Sequence, residues 1–185
     1  KLNNVMQHTS KLPELETTIF SVMSALAIKH NAVNLSQGFP NFKSDQNLID
    51  LVNKAMIAGH NQYAPMPGTL RLRQAIANKF EFLYNSSYNP ETEITVTSGA
   101  TQAIYSAITA FVKPRDEVIV FRPAYDSYVP SVELNGGKVV SVQMQHPNYA
   151  IDWNEVKTKI TSKTKMIIIN TCLLYTSDAA DDLLC

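Results

Sequence analysis

Cysteine is nearly missing from this sequence. The 185-residue chain has two, Cys172 and Cys185. Two cannot staple a secreted disulfide framework, and no CxxC pairs with a histidine cluster to hold zinc. Neither sign of charge is in surplus. Lys and Arg number 16, Asp and Glu number 16, and the formal net charge is +0. A dedicated polyanion binder needs a basic excess, so nucleic acid is not an expected partner. The same balance argues against an acidic disordered tail. Charged residues make up 17% of the chain, below the usual ~25%. No apolar run approaches the ~20 residues that cross a bilayer. Residues 1–10 are polar and lack the apolar stretch of a signal peptide. These shortages predict a globular protein of a reducing compartment, cytoplasmic, with no membrane partner. Four histidines (8, 30, 60 and 146) are scattered without metal-ligand spacing. They predict exposed side chains and no metal site. There is no Gly-x-Ser-x-Gly elbow, and no cysteine lies near a candidate histidine base.

What is present is enough for a core. Apolar residues make up 45%, and the length suits one domain or a piece of a larger one. Residues 1–11 read as a loose arm. The run Ile19 to Ile28 predicts a helix ending near His30-Asn31. Leu48, Leu51, Val52, Ala55 and Met56 recur at helical spacing, with Gly59 as a stop. Thr69 reads as the cap of another helix, with Leu72, Ala75, Ile76, Phe80 and Leu83 on one face. Asn89-Pro90 reads as a turn, and Glu93-Ile94-Thr95-Val96-Thr97 as a strand. A helix over 101–112 carries Ile104, Ala107, Ile108 and Phe111 on one stripe.

Glu117-Val118-Ile119-Val120-Phe121 is β-prone and continuously apolar, as buried parallel strands tend to be. A helix over 128–134 follows, ended by Gly136-Gly137. Lys138-Val139-Val140-Ser141-Val142 reads as a strand. Asp152 and Glu155 form a capping-box variant ahead of a helix. Met166-Ile167-Ile168-Ile169 is the last strand. Lys157, Lys159, Lys163 and Lys165 read as a solvated face. Strands alternating with helices predict an α/β fold with a mostly parallel sheet. Ligands of such sheets sit beyond the carboxyl ends of the strands.

The sharpest local signal is Val96-Thr97-Ser98-Gly99-Ala100-Thr101-Gln102, where small residues turn a strand into a helix. A helix N-terminus offers N–H groups and a positive dipole end, and small side chains let a phosphate approach. Ser98 and Thr101 add hydroxyls. The segment reads as a phosphate cup or as an ordinary strand-to-helix turn. Tyr125, in Pro123-Ala124-Tyr125-Asp126-Ser127-Tyr128, either stacks on a flat heteroaromatic ligand or packs on the sheet rim. Tyr63 is either a phosphate donor or an exposed loop tyrosine. Gly38 either presents its N–H to a carboxylate or is a plain turn glycine.

Four ordered segments carry a resemblance. They are Asn34-Leu35-Ser36-Gln37-Gly38-Phe39-Pro40, then Asn61-Gln62-Tyr63-Ala64-Pro65-Met66-Pro67-Gly68, then Thr97-Ser98-Gly99-Ala100-Thr101-Gln102-Ala103, then Arg122-Pro123-Ala124-Tyr125-Asp126-Ser127-Tyr128. As a set they resemble the class I/II pyridoxal-phosphate-dependent aminotransferases of fold type I, nearest the methionine and kynurenine branch. The resemblance spans roughly residues 10–171. It implies an α/β fold holding part of the large domain, with a mostly parallel sheet flanked by helices. Residues 1–40 would form an N-terminal arm and helix in the small-domain and dimer-contact segment. Residues 41–171 would form the N-terminal part of the large cofactor domain.

The resemblance also implies roles. Gly99, Ala100 and Thr101 would hold the phosphate of pyridoxal 5'-phosphate, and Tyr125 would stack on its ring. Tyr63 would reach the partner subunit's phosphate in a homodimer. Gly38 would help bind the substrate carboxylate. The implied reaction moves an amino group from an α-amino acid, methionine or an aromatic one, to a 2-oxo acid. A C–S β-lyase of the same fold is one alternative. An inactive fragment, or a non-catalytic module binding a phosphate ligand, is another.

The resemblance stops at Thr171. There Ile169-Asn170-Thr171 leads toward the family's Asn-Pro-x-Gly turn, but residues 172–185 match nothing in the family and read as a translated sequencing adapter. Lys1 in place of Met reads as an open 5′ end. The family's Schiff-base Lys, its Asp at the pyridine nitrogen and its carboxylate-binding Arg all lie beyond this point. No catalytic residue is therefore expected within the chain.

Overall fold

The computed structural model describes residues 9–38, 40 and 42–170. The predicted tail at 172–185, His8 and most of the N-terminal arm lie outside the described residues. Contacts group the chain into two compact units. One is Ile19–Ser98; the other combines Lys1–Thr18 with Gly99–Cys185.

The second of these units is an α/β layer structure. Helix α4 (Ala100–Phe111) leads into strand β1 (Glu117–Arg122), then α5 (Tyr128–Leu134), β2 (Lys138–Gln143), α6 (Trp153–Lys159) and β3 (Thr164–Ile168). The sheet has the order β2-β1-β3. Both pairings are parallel, with Val118 beside Val139 on one side and Met166 on the other. The chain moves one way along the sheet from β1 to β2, then back past β1 to β3. Crossovers of one hand running in opposite directions put their helices on opposite faces. That is where they lie. Tyr128 and Val132 of α5 pack with Ile108 and Val112 against Val118 and Val120. Val156 of α6 packs with Ile119, Phe121 and Val142.

Strand β1 is central and its residues 118–121 are buried on both faces. Burying each such side chain contributes roughly 1.5–3 kcal/mol, so this strand anchors the unit. Gly137 is needed where α4, α5 and β2 meet. A Cβ there would stand 2.6 Å from the Val112 Cγ1 and 2.9 Å from the Val132 Cγ1. Asp152 caps α6, its carboxylate accepting from the N–H groups of Asn154 and Glu155 at 2.8 and 3.2 Å. The reciprocal half of the predicted box is replaced. Glu155 pairs instead with Lys159 at 2.6 Å.

The unit Ile19–Ser98 is helical. It holds α1 (Ile19–Lys29), α2 (Gln46–Ile57) and α3 (Leu70–Tyr84). Helix α2 stops as its sequence predicts. Gly59 has a φ of 82°, its N–H bonds the Met56 carbonyl, and the His60 N–H bonds that of Ala55, a Schellman ending.

Two expectations fail in this unit, the strand at Glu93-Ile94-Thr95-Val96-Thr97 and the apolar face of α3. Glu93-Ile94-Thr95-Val96-Thr97 is not a strand. A strand exists only where a neighbouring backbone pairs with it. The sheet formed by the described residues has three strands, and this segment is not one of them. Its Val96 N–H goes to the Pro67 carbonyl at 3.0 Å. Thr69 is the N-cap of α3 as expected, though its side chain makes no capping bond. The buried face of α3 is Arg73 and Ala77, while Leu72 and Leu83 are exposed. Helices α1 and α2 bury no residue at all.

Candidate functional site

Helix α4 begins abruptly. Gly99 has φ 92° and ψ 163°, a backbone region essentially reserved for glycine. The turn is open, because nothing lies within 4 Å of where a Gly99 Cβ would sit. The N-cap residue is a glycine, with no side chain to offer, and no acidic residue stands in the first turn. Ala100 and Thr101 are exposed. A helix start without carboxylates and with small side chains matches the electrostatics of a phosphate.

The orientation of α4 follows from its other end. Val112 abuts Gly137, the residue before β2, and the Arg115 N–H bonds the Gly136 carbonyl at 2.8 Å. The C-terminus of α4 therefore lies at the amino ends of the strands. A helix of 12 residues runs back about 18 Å, the length of the strands beside it. Its N-terminus reaches the carboxyl edge of the sheet.

The loop after β1 occupies the same edge. Ala124 and Tyr125 are half-buried against the cluster of Ile108, Val118, Val120 and Tyr128. The Tyr125 ring meets that of Tyr128 edge-on, centroids 5.9 Å apart and planes 68° apart. Burial pushes the Tyr128 phenol above its ordinary value, a hydrogen bond with Asn170 pulls it down, and the neighbouring Tyr125 adds to the rise. Gly99, Ala100, Thr101 and Tyr125 are thus gathered in one unit and toward one edge.

Gly38 and Tyr63 belong to the helical unit. Gly38 is exposed and open, with nothing within 4 Å of a built Cβ. The segment before it is tied to α1 by Asn34, whose amide donates to Ser24 Oγ at 3.1 Å. The Asn34 Oδ1 accepts from the Ser36 N–H and hydroxyl at 3.0 and 2.7 Å. Tyr63 is fully exposed. The loop that carries it is closed at one end by Gly68, where a Cβ would meet Val96 at 2.8 Å. Arg73 fastens the same end. Its guanidinium donates to the carbonyls of Gly68, Pro90 and Glu91.

The lysine expectation needs one correction. Lys157, Lys163 and Lys165 are exposed, but Lys159 is half-buried. Its Nζ lies 2.6 Å from the Ser141 carbonyl oxygen and 2.6 Å from Glu155, so it ties α6 to β2 as a structural cation. His30, His60 and His146 are exposed. Among the described residues no cluster of metal-ligating side chains occurs, and no helix is long and apolar enough to cross a membrane. Sequence reasoning missed Arg73, which carries no short-range signal, and the edge-on pairing of Tyr125 with Tyr128, whose visible sign was their three-residue spacing.

The family model for aminotransferase class I and II matches residues 30–176. The chain belongs to that family. It is 48% identical over 169 residues to a methionine aminotransferase of Escherichia coli (strain K12), covering 91% of this chain and 44% of that protein. It is 40% identical over 164 residues to a probable N-succinyldiaminopimelate aminotransferase of Mycobacterium tuberculosis (strain ATCC 25618 / H37Rv), covering 88% of this chain and 41% of that protein. Its fold superposes on solved Escherichia coli YbdL, whose reactivity identifies a methionine aminotransferase function. The TM-score is 0.88 at 46% identity, over 95% of this chain and 47% of that one. The chain thus spans less than half the length of these relatives, and its α/β fold is the partial large domain of their architecture.

Proposed function

We propose that this chain is the cofactor-phosphate and ring-stacking portion of a pyridoxal-phosphate-dependent aminotransferase. The whole enzyme would move an amino group from an α-amino acid to a 2-oxo acid. Methionine is the favoured donor class, because the relative at 48% identity is a methionine aminotransferase. The observation that carries the reading is the carboxylate-free start of α4 at the sheet edge that also bears Tyr125, in a chain of this family.

The residues fit the group. The backbone N–H groups of Ala100 and Thr101, with the Thr101 hydroxyl, would hold the phosphate. Gly99 keeps the approach clear of a side chain. Tyr125 would lie against the pyridine ring and orient it. Gly38 would offer its N–H to the substrate carboxylate. Tyr63, fully exposed, would reach the partner subunit's phosphate in a homodimer. When bound, the cofactor supplies an electron sink that makes the substrate α-hydrogen acidic. The reading places the enzyme in the cytoplasm, in amino acid metabolism. A C–S β-lyase would use the same cup and ring, and the product separates the two: a new amino acid for the transferase, a thiol for the lyase.

The test begins with binding. Pyridoxine phosphate, whose alcohol does not condense with surface lysines, is titrated onto the chain by equilibrium dialysis. Thr101→Glu sets a carboxylate in the phosphate's place and should abolish binding. Retained affinity in Thr101→Glu, or none in a folded parent, would overturn the reading. Sequencing the source DNA past the codon for Thr171, then assaying the encoded product with methionine and a 2-oxo acid, tests the activity.

A further inference from the structure

A cleft of about 420 Å³ opens between the N-terminal arm and helix α5. All of it belongs to the α/β unit. Five charged side chains line it. Lys11 and Glu14 come from the arm, Arg122 from the end of β1, Asp126 from the loop after it, and Glu133 from α5. No two of them pair. Among the described residues the ion pairs are Lys138 with Glu117 and Lys159 with Glu155. Neither sign dominates, so the cleft matches neither a phosphate nor a plain cation. Its complement is a dipole, an anionic and a cationic group carried on one small molecule. The volume suits such a ligand. None of Gly99, Ala100, Thr101 and Tyr125 lines the cleft.

The fold says which charges act together. Arg122 is oriented from its inner side, where its Nε donates to Ser141 Oγ at 2.9 Å. That leaves the outer nitrogens of the guanidinium, a fork that matches a carboxylate. Asp126 follows four residues later. Glu133 stands seven residues beyond Asp126, about 10 Å along a helix. Asp126, Val129, Pro130 and Glu133 have the i, i+3, i+4, i+7 spacing of one helical face, and all four line the cleft. Leu12 and Leu15 line it from the arm, in a turn closed by the Leu15 N–H on the Leu12 carbonyl at 3.2 Å. An anion site and a cation site thus stand together at one end, and apolar surface runs away from them. We propose that this cleft binds a free α-amino acid with an apolar side chain. Its carboxylate meets the Arg122 guanidinium, its ammonium meets the Asp126 carboxylate, and its side chain lies along Val129 and Pro130. The proposal is independent of whether the chain holds pyridoxal phosphate.

The experiment titrates three probes onto the isotope-labelled full chain and follows its amide resonances. L-Methionine carries both charges, L-methioninol lacks the carboxylate, and N-acetyl-L-methionine lacks the ammonium. Methionine should shift the amides of Leu12, Leu15 and Val129. An exposed ion pair adds little, so each missing charge should weaken binding about two- to fivefold. Arg122→Gln should weaken methionine by that factor and leave methioninol unchanged. Asp126→Asn should weaken methionine and methioninol and leave N-acetylmethionine unchanged. Such selective losses mark a direct partner, because each variant matters only to probes that carry the matching charge. The proposal is overturned if methionine leaves those amides unmoved in the folded parent, or if all three probes bind alike. It is overturned equally if both variants weaken every probe together, as general loosening would. Methionine bound here by a chain that takes up no pyridoxine phosphate would uphold this site and sink the cofactor reading alone.

Discussion

Arg73 allows a quantitative test of how the helical unit is held. It is 7% exposed and makes three hydrogen bonds, to the carbonyls of Gly68, Pro90 and Glu91. Arg73→Met keeps the apolar stem and deletes all three. Bonds from a charged donor contribute about 1.5–3 kcal/mol each where the acceptor is left dry. Here Glu91 is exposed and Gly68 and Pro90 are half-buried, so water replaces part of the loss. About 1 kcal/mol per bond is the fitting scale, giving roughly 2–3 kcal/mol in all. The effect should be local. Native-state hydrogen exchange reads it at the N–H groups of Gly68, Glu93 and Val96, which bond Pro65, Asn89 and Pro67. Their exchange should quicken about 30- to 150-fold, at 1.4 kcal/mol per factor of ten. Amides of β1, in the other unit, should not change. Arg73→Lys should fall between, since an ammonium cannot fork to three carbonyls. A rise under about threefold would refute the clamp, given that one lost bond of 1 kcal/mol already gives about fivefold. An equal rise in β1 would refute its locality.

Other predictions follow from single observations. Gly137→Ala drives a Cβ into Val112 and Val132 and should cost about 1–3 kcal/mol as overpacking, seen as a lower Tm with unchanged secondary structure. The raised Tyr128 phenol keeps its proton in the folded state after unfolded chains have lost theirs. Its contribution is fully present below pH about 10 and is lost as pH rises through the higher folded value. The stability of the parent relative to Tyr128→Phe should therefore fall above that pH, in parallel denaturant titrations; a flat difference would contradict it. Among the described residues strand β3 has one neighbour in the sheet, and it exposes Ile167, with Ile169 exposed just beyond it. An apolar edge of this kind promotes self-association, so Ile167→Lys should lower light scattering at equal concentration.

Local structure was legible wherever the signal was short-range. The helix at Tyr128–Leu134 lies where Pro130 and the Gly136-Gly137 stop put it. The Asp152 cap and the Gly59 stop are likewise written within a few residues. The candidate site was legible too, as small residues at a helix start and an aromatic after a buried strand. Tertiary structure decided what depends on two distant segments. Glu93-Ile94-Thr95-Val96-Thr97 has strand composition, yet composition cannot supply a pairing partner. Arg73 is buried only because three distant or turn carbonyls close around it. Lys159 looked solvated until the Ser141 carbonyl met it. The stripe of Leu48, Leu51, Val52 and Met56 on α2 has the spacing of a core face and remains exposed, in a chain less than half as long as its relatives. Periodicity shows that a face is apolar; only an element packed against it makes the face a core. The loop after β1 and the end of β3 share one sheet edge for the same reason. β1 and β3 are parallel neighbours, and that adjacency is set by the crossovers, not by any one stretch of sequence.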